Sequence, residues 1–510
     1  EAGRRTQTLL LGNGAEPSDL DPQTNTAYSD LNILTALFEG LTSMDEATSQ
    51  PVPGVAERWE SSADGLVWTF HLRADARWSN GDPVTAGDFV YSFHRILSPG
   101  LASEYSYMLY AIKNAEGFNE GKLKDFSQVG VRAIDDRTLE ITLGAPCPFL
   151  PTLAGHQAWW PVHRATIEKF GRFDQRDTAW TKPGNLVGNG PFRLAEWTPN
   201  ARIVVEKNPQ YWDAGRNQLH AVVFFPIEDI ATEERAFRAG QLHLTSNLLP
   251  DEIDHYRQTA PAELRIDLFS ESYHLRFNTA KPPLNDVRVR RALGMAVDRV
   301  ALARDVLRGS RTPAYALTPP NTAGYTPEAR FPTDFAEARR LLAAAGYPGG
   351  KGFPRLQLQM WTNAINSKVA EALQQMWRRE LGIDVTLSSL DFRIYLDNRR
   401  TLSFQISLSR WIADYIDPST YLDEFLSYSG NNQTAWADPA FDRLDQEASR
   451  TLDQARRYAL LQRAEARLLE QAPIAPLFYG ARTYLIAPYV QGWVPTALGI
   501  HRYQFVKLAP

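Results

Sequence analysis

Apolar and polar residues alternate over several short stretches and recur at helical spacing over longer ones. Alternation in Thr69-Phe-His-Leu-Arg73, Thr138-Leu-Glu-Ile-Thr-Leu143, Ile203-Val-Val-Glu206 and Ile383-Asp-Val-Thr-Leu387 predicts strands with one buried face. Helical period predicts one helix over Val287–Leu307, carried by Val289, Leu293, Val297 and Val300. A second runs over Ser367–Leu381 through Val369, Leu373 and Trp377, with Gly382 as its left-handed closing residue. Asp438-Pro439 is a start signal, a side-chain acceptor followed by a residue that has no N–H to satisfy. A long helix over Gln454–Gln471 ends just before Pro473. Strands and helices mix without a strict βαβ rhythm, which predicts α/β or α+β lobes. Loops are marked at Lys182-Pro-Gly, Lys281-Pro-Pro and Tyr347 to Pro354.

At 510 residues the chain is long enough for about three domains or two large lobes. Lys plus Arg (54) nearly balance Asp plus Glu (59), so the chain lacks the basic excess on which nucleic-acid affinity rests. No run of about 18 apolar residues is present, so no segment reads as a membrane-spanning helix. The single cysteine, Cys147, excludes an internal disulfide and reads as a small buried residue. The start, Glu1-Ala-Gly-Arg-Arg, leaves two compartments open, the cytoplasm or an exported form whose signal peptide has been removed.

Enzyme signatures fail one by one. No two of the nine histidines are three or four apart, as a helical metal pair requires. There is no Gly-x-Ser-x-Gly elbow. Gly346–Gly352 has Gly after its Lys where a phosphate loop needs Ser or Thr, and Gly12-Asn-Gly and Gly188-Asn-Gly lack a third glycine. Neither a catalytic residue, a metal site nor a cofactor is expected. Aromatic residues, at 11%, suit a binding cleft as well as a large core.

One run of motifs goes further. Pro53-Gly-Val-Ala-Glu-Arg-Trp59, Gly65 to Arg73 and Ala76-Arg-Trp-Ser-Asn-Gly-Asp-Pro-Val-Thr-Ala-Gly-Asp-Phe-Val-Tyr-Ser92 stand in its first part, with Leu20-Asp-Pro and Leu37-Phe-Glu-Gly-Leu ahead of them. Asn189-Gly-Pro-Phe, Asn208-Pro-Gln-Tyr-Trp, Asn285-Asp-Val-Arg-Val-Arg-Arg-Ala-Leu and Trp411-Ile-Ala-Asp-Tyr-Ile-Asp-Pro418 follow in order. Together they resemble the peptide-binding proteins of ABC importers, in the oligopeptide, dipeptide and nickel class of solute-binding proteins. The resemblance implies an α/β, two-lobed periplasmic binding protein fold of class II type with an extra inserted domain, a hinged clamp around an interdomain cleft. It puts residues 1–37, 162–270 and 486–510 in a first domain, 38–161 in the inserted domain and 271–485 in the opposing lobe. It implies export and a periplasmic mature form, a monomer, a short peptide as ligand and membrane permease subunits as partners. With its only cysteine internal, the chain as given is not expected to be lipid-anchored. Binders of murein peptides, oligosaccharides or metal chelates share the fold, and a peptide receptor feeding a signalling partner is a further alternative.

A sequence-tolerant binder should read what every peptide has: an ammonium, a carboxylate and a backbone. By the resemblance, Asp414 receives the ammonium, and the backbones of Arg410, Trp411 and Ile412 pair with the peptide. Thr26, Ala27 and Tyr28 form a second pairing edge. Tyr105, Phe392, Arg399 and Trp411 line pockets, and Asn247 stands near the ligand. Carboxylate recognition departs from the family pattern, because Leu408 and Ser367 stand where basic residues are expected. Arg410, Arg308, Arg311 and Lys368 are the candidate replacements.

Overall fold

Capping chemistry sets several element boundaries in the computed structural model, which describes residues 2–509. The Asp438 carboxylate accepts from the backbone N–H groups of Ala440 and Phe441 and starts helix Pro439–Ser449. Helix Ala364–Leu381 ends at Gly382, which takes the left-handed conformation at φ 66°. Helix Gln454–Gln471 ends at Ala472, also left-handed, just before Pro473. Strands Val67–Leu72, Thr138–Thr142 and Arg202–Lys207 form at the first three alternating segments, the first two ending one residue before Arg73 and Leu143.

Two expectations change. The single helix over Val287–Leu307 breaks after Met295, because Asp298 is extended and its carboxylate takes the Ala301 N–H, opening a new turn at Arg299–Ala301. A π-helical turn, Leu302–Val306, follows. Aspartate competes with the helix for backbone N–H groups, and that competition overrides the apolar period here. The last alternating segment shifts to Val385–Leu390, because its parallel partner pairs Leu356 with Val385 and Trp361 with Leu390.

The chain divides into two compact units, Glu1–Arg265 with Thr483–Pro510, and Ile266–Arg482. The first unit holds two four-stranded sheets. In one, Thr8–Gly12 runs parallel to Ala221–Phe225, which pairs antiparallel with Arg202–Lys207 and through it with Phe192–Thr198. The other is antiparallel in the order Ala56–Ser61, Val67–Leu72, Thr138–Thr142, Val131–Asp135. Helix Ala86–Leu97 packs on it with Phe89, Phe93 and Ile96 fully buried.

The second unit is built on a six-stranded mixed sheet in the order Thr312–Pro313, Ile474–Leu485, Leu264–Phe277, Ile406–Ile412, Leu356–Trp361, Val385–Leu390. Its core joins the strand residues Leu275, Phe277, Leu358, Ile406 and Leu408 to the helical stripes Val289, Leu293 and Val369, Leu373, Trp377. Trp377 Nε1 donates to the Leu293 carbonyl at 2.8 Å, so the ring fills the core and its one polar atom is satisfied. The chain passes between the units twice, within the neighbouring strands Leu264–Phe277 and Ile474–Leu485.

Candidate functional site

The strand Ile406–Ile412 changes character along its length. Ile406 and Leu408 are fully buried in the core, whereas Arg410 and Ile412 are exposed. One edge is paired throughout with Leu264–Phe277, from Phe277 opposite Ile406 to Glu271 opposite Ile412, and the Ala413 N–H extends it to the Ser270 carbonyl. The other edge pairs with Leu356–Trp361 only at Ile406 and Ser407. That neighbour turns away because Thr362 bonds to the Leu390 carbonyl and Asn363 caps the next helix through the Asn366 N–H. The Leu408 carbonyl is taken by the Tyr395 hydroxyl at 2.8 Å. Beyond it, Arg410–Ile412 present an edge outside the ladders of the described residues, the geometry that accepts an added strand.

Just past this edge stand two aspartates with opposite fates. Asp417 is buried, is held by both terminal nitrogens of Arg457 at 2.5 and 2.7 Å, and accepts from the Ser419 N–H and hydroxyl. Asp414 is exposed and makes no hydrogen bond or ion pair among the described residues. The protein around it still removes enough water to push its carboxyl above the usual carboxylate range, with desolvation as the cause. A carboxylate partly stripped of water and given no cation is poised to receive one.

Beside the strand, Arg410 Nη1 donates to Glu271 Oε1 at 2.8 Å and its guanidinium lies 5.4 Å from the Trp361 ring. Burial raises the Glu271 carboxyl against the pull of Arg410 and Arg311. Gly480 allows this placement, since a Cβ there would lie 2.6 Å from Glu271 Oε2. Glu271, Tyr273, Arg311, Trp361, Asn363, Ile365 and Arg410 enclose an open cavity of about 470 Å³.

Trp411 is half-buried, with its Nε1 lacking a partner in the described residues. Phe392 is 52% exposed at the start of helix Phe392–Arg400, stacked on Tyr395 and edge-on to Trp361. Arg399 is buried, with Nη1 on the Tyr395 hydroxyl at 3.3 Å and Nε without a partner among the described residues. It belongs to a buried polar layer with the Arg276–Glu424 ion pair and His274, which burial, Arg276 and Arg399 keep neutral. Leu408 and Ser367, the two positions lacking an expected base, serve the fold: one is core, and the other donates to the Asn363 carbonyl.

In the first unit, Thr26 and Ala27 are exposed and precede helix Tyr28–Leu37, so Tyr28 opens a helix and none of the three is in a strand. The Tyr28 hydroxyl donates to the Gly499 carbonyl. Tyr105 is half-buried, edge-on to His156, whose pKa burial lowers to about 4. Asn247 is exposed, with its N–H directed at the buried Glu233.

Residues 50–433 match the bacterial extracellular solute-binding proteins, family 5, middle region. The chain belongs to this family. It is 38% identical over 500 residues to the periplasmic oligopeptide-binding protein OppA of Escherichia coli, covering 96% of this chain and 90% of OppA. It is equally similar, 38% over 497 residues with the same coverage, to the probable deoxycholate-binding periplasmic protein YgiS of that organism. The solved unliganded open form of the periplasmic murein tripeptide-binding protein MppA superposes with a TM-score of 0.92 at 35% identity, covering 99% of this chain and 97% of that one.

Within this family-5 chain, reading the sequence missed Glu271, Tyr273, Trp361, Asn363 and Ile365 as cavity residues. Glu271 and Arg410 are 139 residues apart, and no local pattern announces their pairing. Only the strand register, which seats Tyr273 opposite Arg410, brings them together.

Proposed function

We propose that this chain is a periplasmic substrate-binding protein that captures short peptides and delivers them, without chemistry of its own, to the permease of an ABC importer. The observation that carries the reading is Asp414, a partly desolvated carboxylate without a partner beside an open strand edge. A peptide laid along Arg410–Ile412 would give its backbone to that edge and its ammonium to Asp414. Trp411 and Phe392 would supply apolar walls. The names of OppA and MppA agree with a peptide ligand. Thr26–Tyr28, Tyr105, Asn247 and Arg399 keep their expected roles within this proposal, as do the three-domain division, the hinged clamp and the monomeric state.

Ligand binding stabilises the native state by mass action, so the ligand class is read from thermal shifts. Mixed tripeptides to pentapeptides should raise the melting temperature and shrink the radius of gyration, whereas cellobiose and deoxycholate should do neither. Deoxycholate has a carboxylate but no ammonium, so it brings no positive charge to Asp414. Stabilisation by deoxycholate or cellobiose, with peptides inert, refutes the reading.

A further inference from the structure

The two faces of strand Leu264–Phe277 differ in chemistry although both are buried. Tyr273, Leu275 and Phe277 enter the apolar core, and alternation puts Ser272, His274 and Arg276 on the other face. Register places Ser409 opposite His274 and Ser407 opposite Arg276, with Gln359 beside Ser407 on the next strand. Helix Phe392–Arg400 meets this polar face through the Tyr395 hydroxyl, which lies 3.1 Å from Ser409 Oγ and accepts from Arg399. The Phe425 ring lies 5.1 Å from the Arg276 guanidinium and 6.0 Å from the His274 ring.

Charge does not balance in this layer. Arg276 and Arg399 are cations, and the buried carboxylate between them, Glu424, is already held by Arg276 Nη2. His274 is neutral, for burial and both guanidiniums hold its pKa down. Asp414 acts on Glu424 from an exposed position. Hydrogen bonding falls short in the same place. Arg276 Nε, Arg399 Nε and both ring nitrogens of His274 lack partners among the described residues, the Ser272 backbone being the least of the influences on that ring. Glu424 Oε2 and the hydroxyls of Ser272 and Thr420 are unmatched as well. The three nitrogen-bearing side chains are 0%, 8% and 0% exposed for Arg276, Arg399 and His274, so bulk water does not serve them. Buried donors without acceptors are rare in native proteins, and a buried cation without a counter-ion is costly.

We propose that this layer binds one small monovalent anion, a halide of the size of chloride, between Arg276, Arg399 and His274. The anion supplies the missing negative charge and accepts from the unmatched N–H groups at once. Near-complete burial suits a monatomic ion better than a carboxylate carried on a chain. The site stands behind the strand edge and is independent of what that edge binds, so its failure leaves the peptide reading untouched.

Two measurements test it. Crystals of the wild type in sodium bromide should show anomalous scattering from a bromide within hydrogen-bond reach of Arg276 Nε and Arg399 Nε. Water alone at that position overturns the site. In solution, replacing sodium gluconate by sodium chloride at constant ionic strength should raise the wild-type melting temperature by about 2–4 °C along a saturating curve. Arg399→Gln removes the excess charge and should lose that rise. Arg311→Gln should keep it, although Arg311 is half-buried and also makes no ion pair among the described residues. A wild-type melting temperature indifferent to chloride overturns the proposal, as does an unchanged rise in Arg399→Gln or its loss in Arg311→Gln. If Arg399→Gln does not fold, the bromide position in the wild type still decides.

Discussion

Replacing Asp414 by alanine separates two descriptions of this carboxylate. If the peptide ammonium meets a solvated surface charge, the pair contributes at most about 1 kcal/mol, roughly fivefold in affinity. If the ammonium is desolvated on binding, removing its partner leaves a buried charge unpaired, at a cost of about 3–5 kcal/mol. The structure points to the second regime but toward its lower end. Asp414 is exposed, yet desolvation already raises its carboxyl above the ordinary range, so part of its hydration is lost before any ligand arrives. We expect a loss of about 3 kcal/mol, on the order of 10²-fold. N-acetylating the peptide should cost the wild type the same amount, because it removes the other half of the pair. The two changes together should cost much less than their sum, as for any contacting pair. Calorimetry on the four combinations, with circular dichroism to confirm the fold, gives the coupling energy. Additive losses, or near-native affinity of Asp414→Ala for free peptides, would refute the ammonium role.

The neighbouring aspartates should respond oppositely in the unliganded protein. Asp417→Asn breaks the buried pair with Arg457 and should lower stability by about 3–5 kcal/mol, whereas Asp414→Asn should leave the melting temperature unchanged or slightly higher at neutral pH. The sign follows from the raised Asp414 pKa, since the stability tied to its neutral form is lost as pH rises through the folded value. A fall in melting temperature for both variants would place Asp414 in the fold. Glu465 offers a pH test of the second unit: burial raises its pKa from 4.5 to about 7 although Leu317 N–H, Thr318 N–H and the Tyr325 hydroxyl donate to it. Its contribution is complete below about 4.5 and lost as pH rises through about 7, so Glu465→Gln should flatten the fall in melting temperature between pH 5 and pH 8. Parallel curves for the two proteins would remove Glu465 as the cause.

Local signals in the sequence carried the elements whose boundaries are set by chemistry near in the chain. The Asp438 cap, the Gly382 terminus and the stripe Val369, Leu373, Trp377 needed only backbone hydrogen bonding and helical period. Failures came where something distant or competing intervened. Asp298 broke a good apolar period by capturing a backbone N–H, and the strand at Val385 took its start from a parallel partner about thirty residues earlier. Two aspartates three residues apart look alike in Asp-Tyr-Ile-Asp, and only Arg457, 40 residues away, makes one of them structural.

The sequence by itself determined that this is a mixed α/β chain of a solute-binding family with no catalytic signature, because motif order and element period are local properties of the chain. Tertiary structure decided which charged side chains have partners. It buried Leu408 in the core, tied Ser367 to its own helix, neutralised Arg410 with Glu271 and left Arg311 and Asp414 without ionic partners among the described residues. Whether a charged side chain is spent on the fold or kept for a ligand depends on partners that strand register and packing bring together from distant parts of the chain. Those partners have no footprint in the neighbouring sequence.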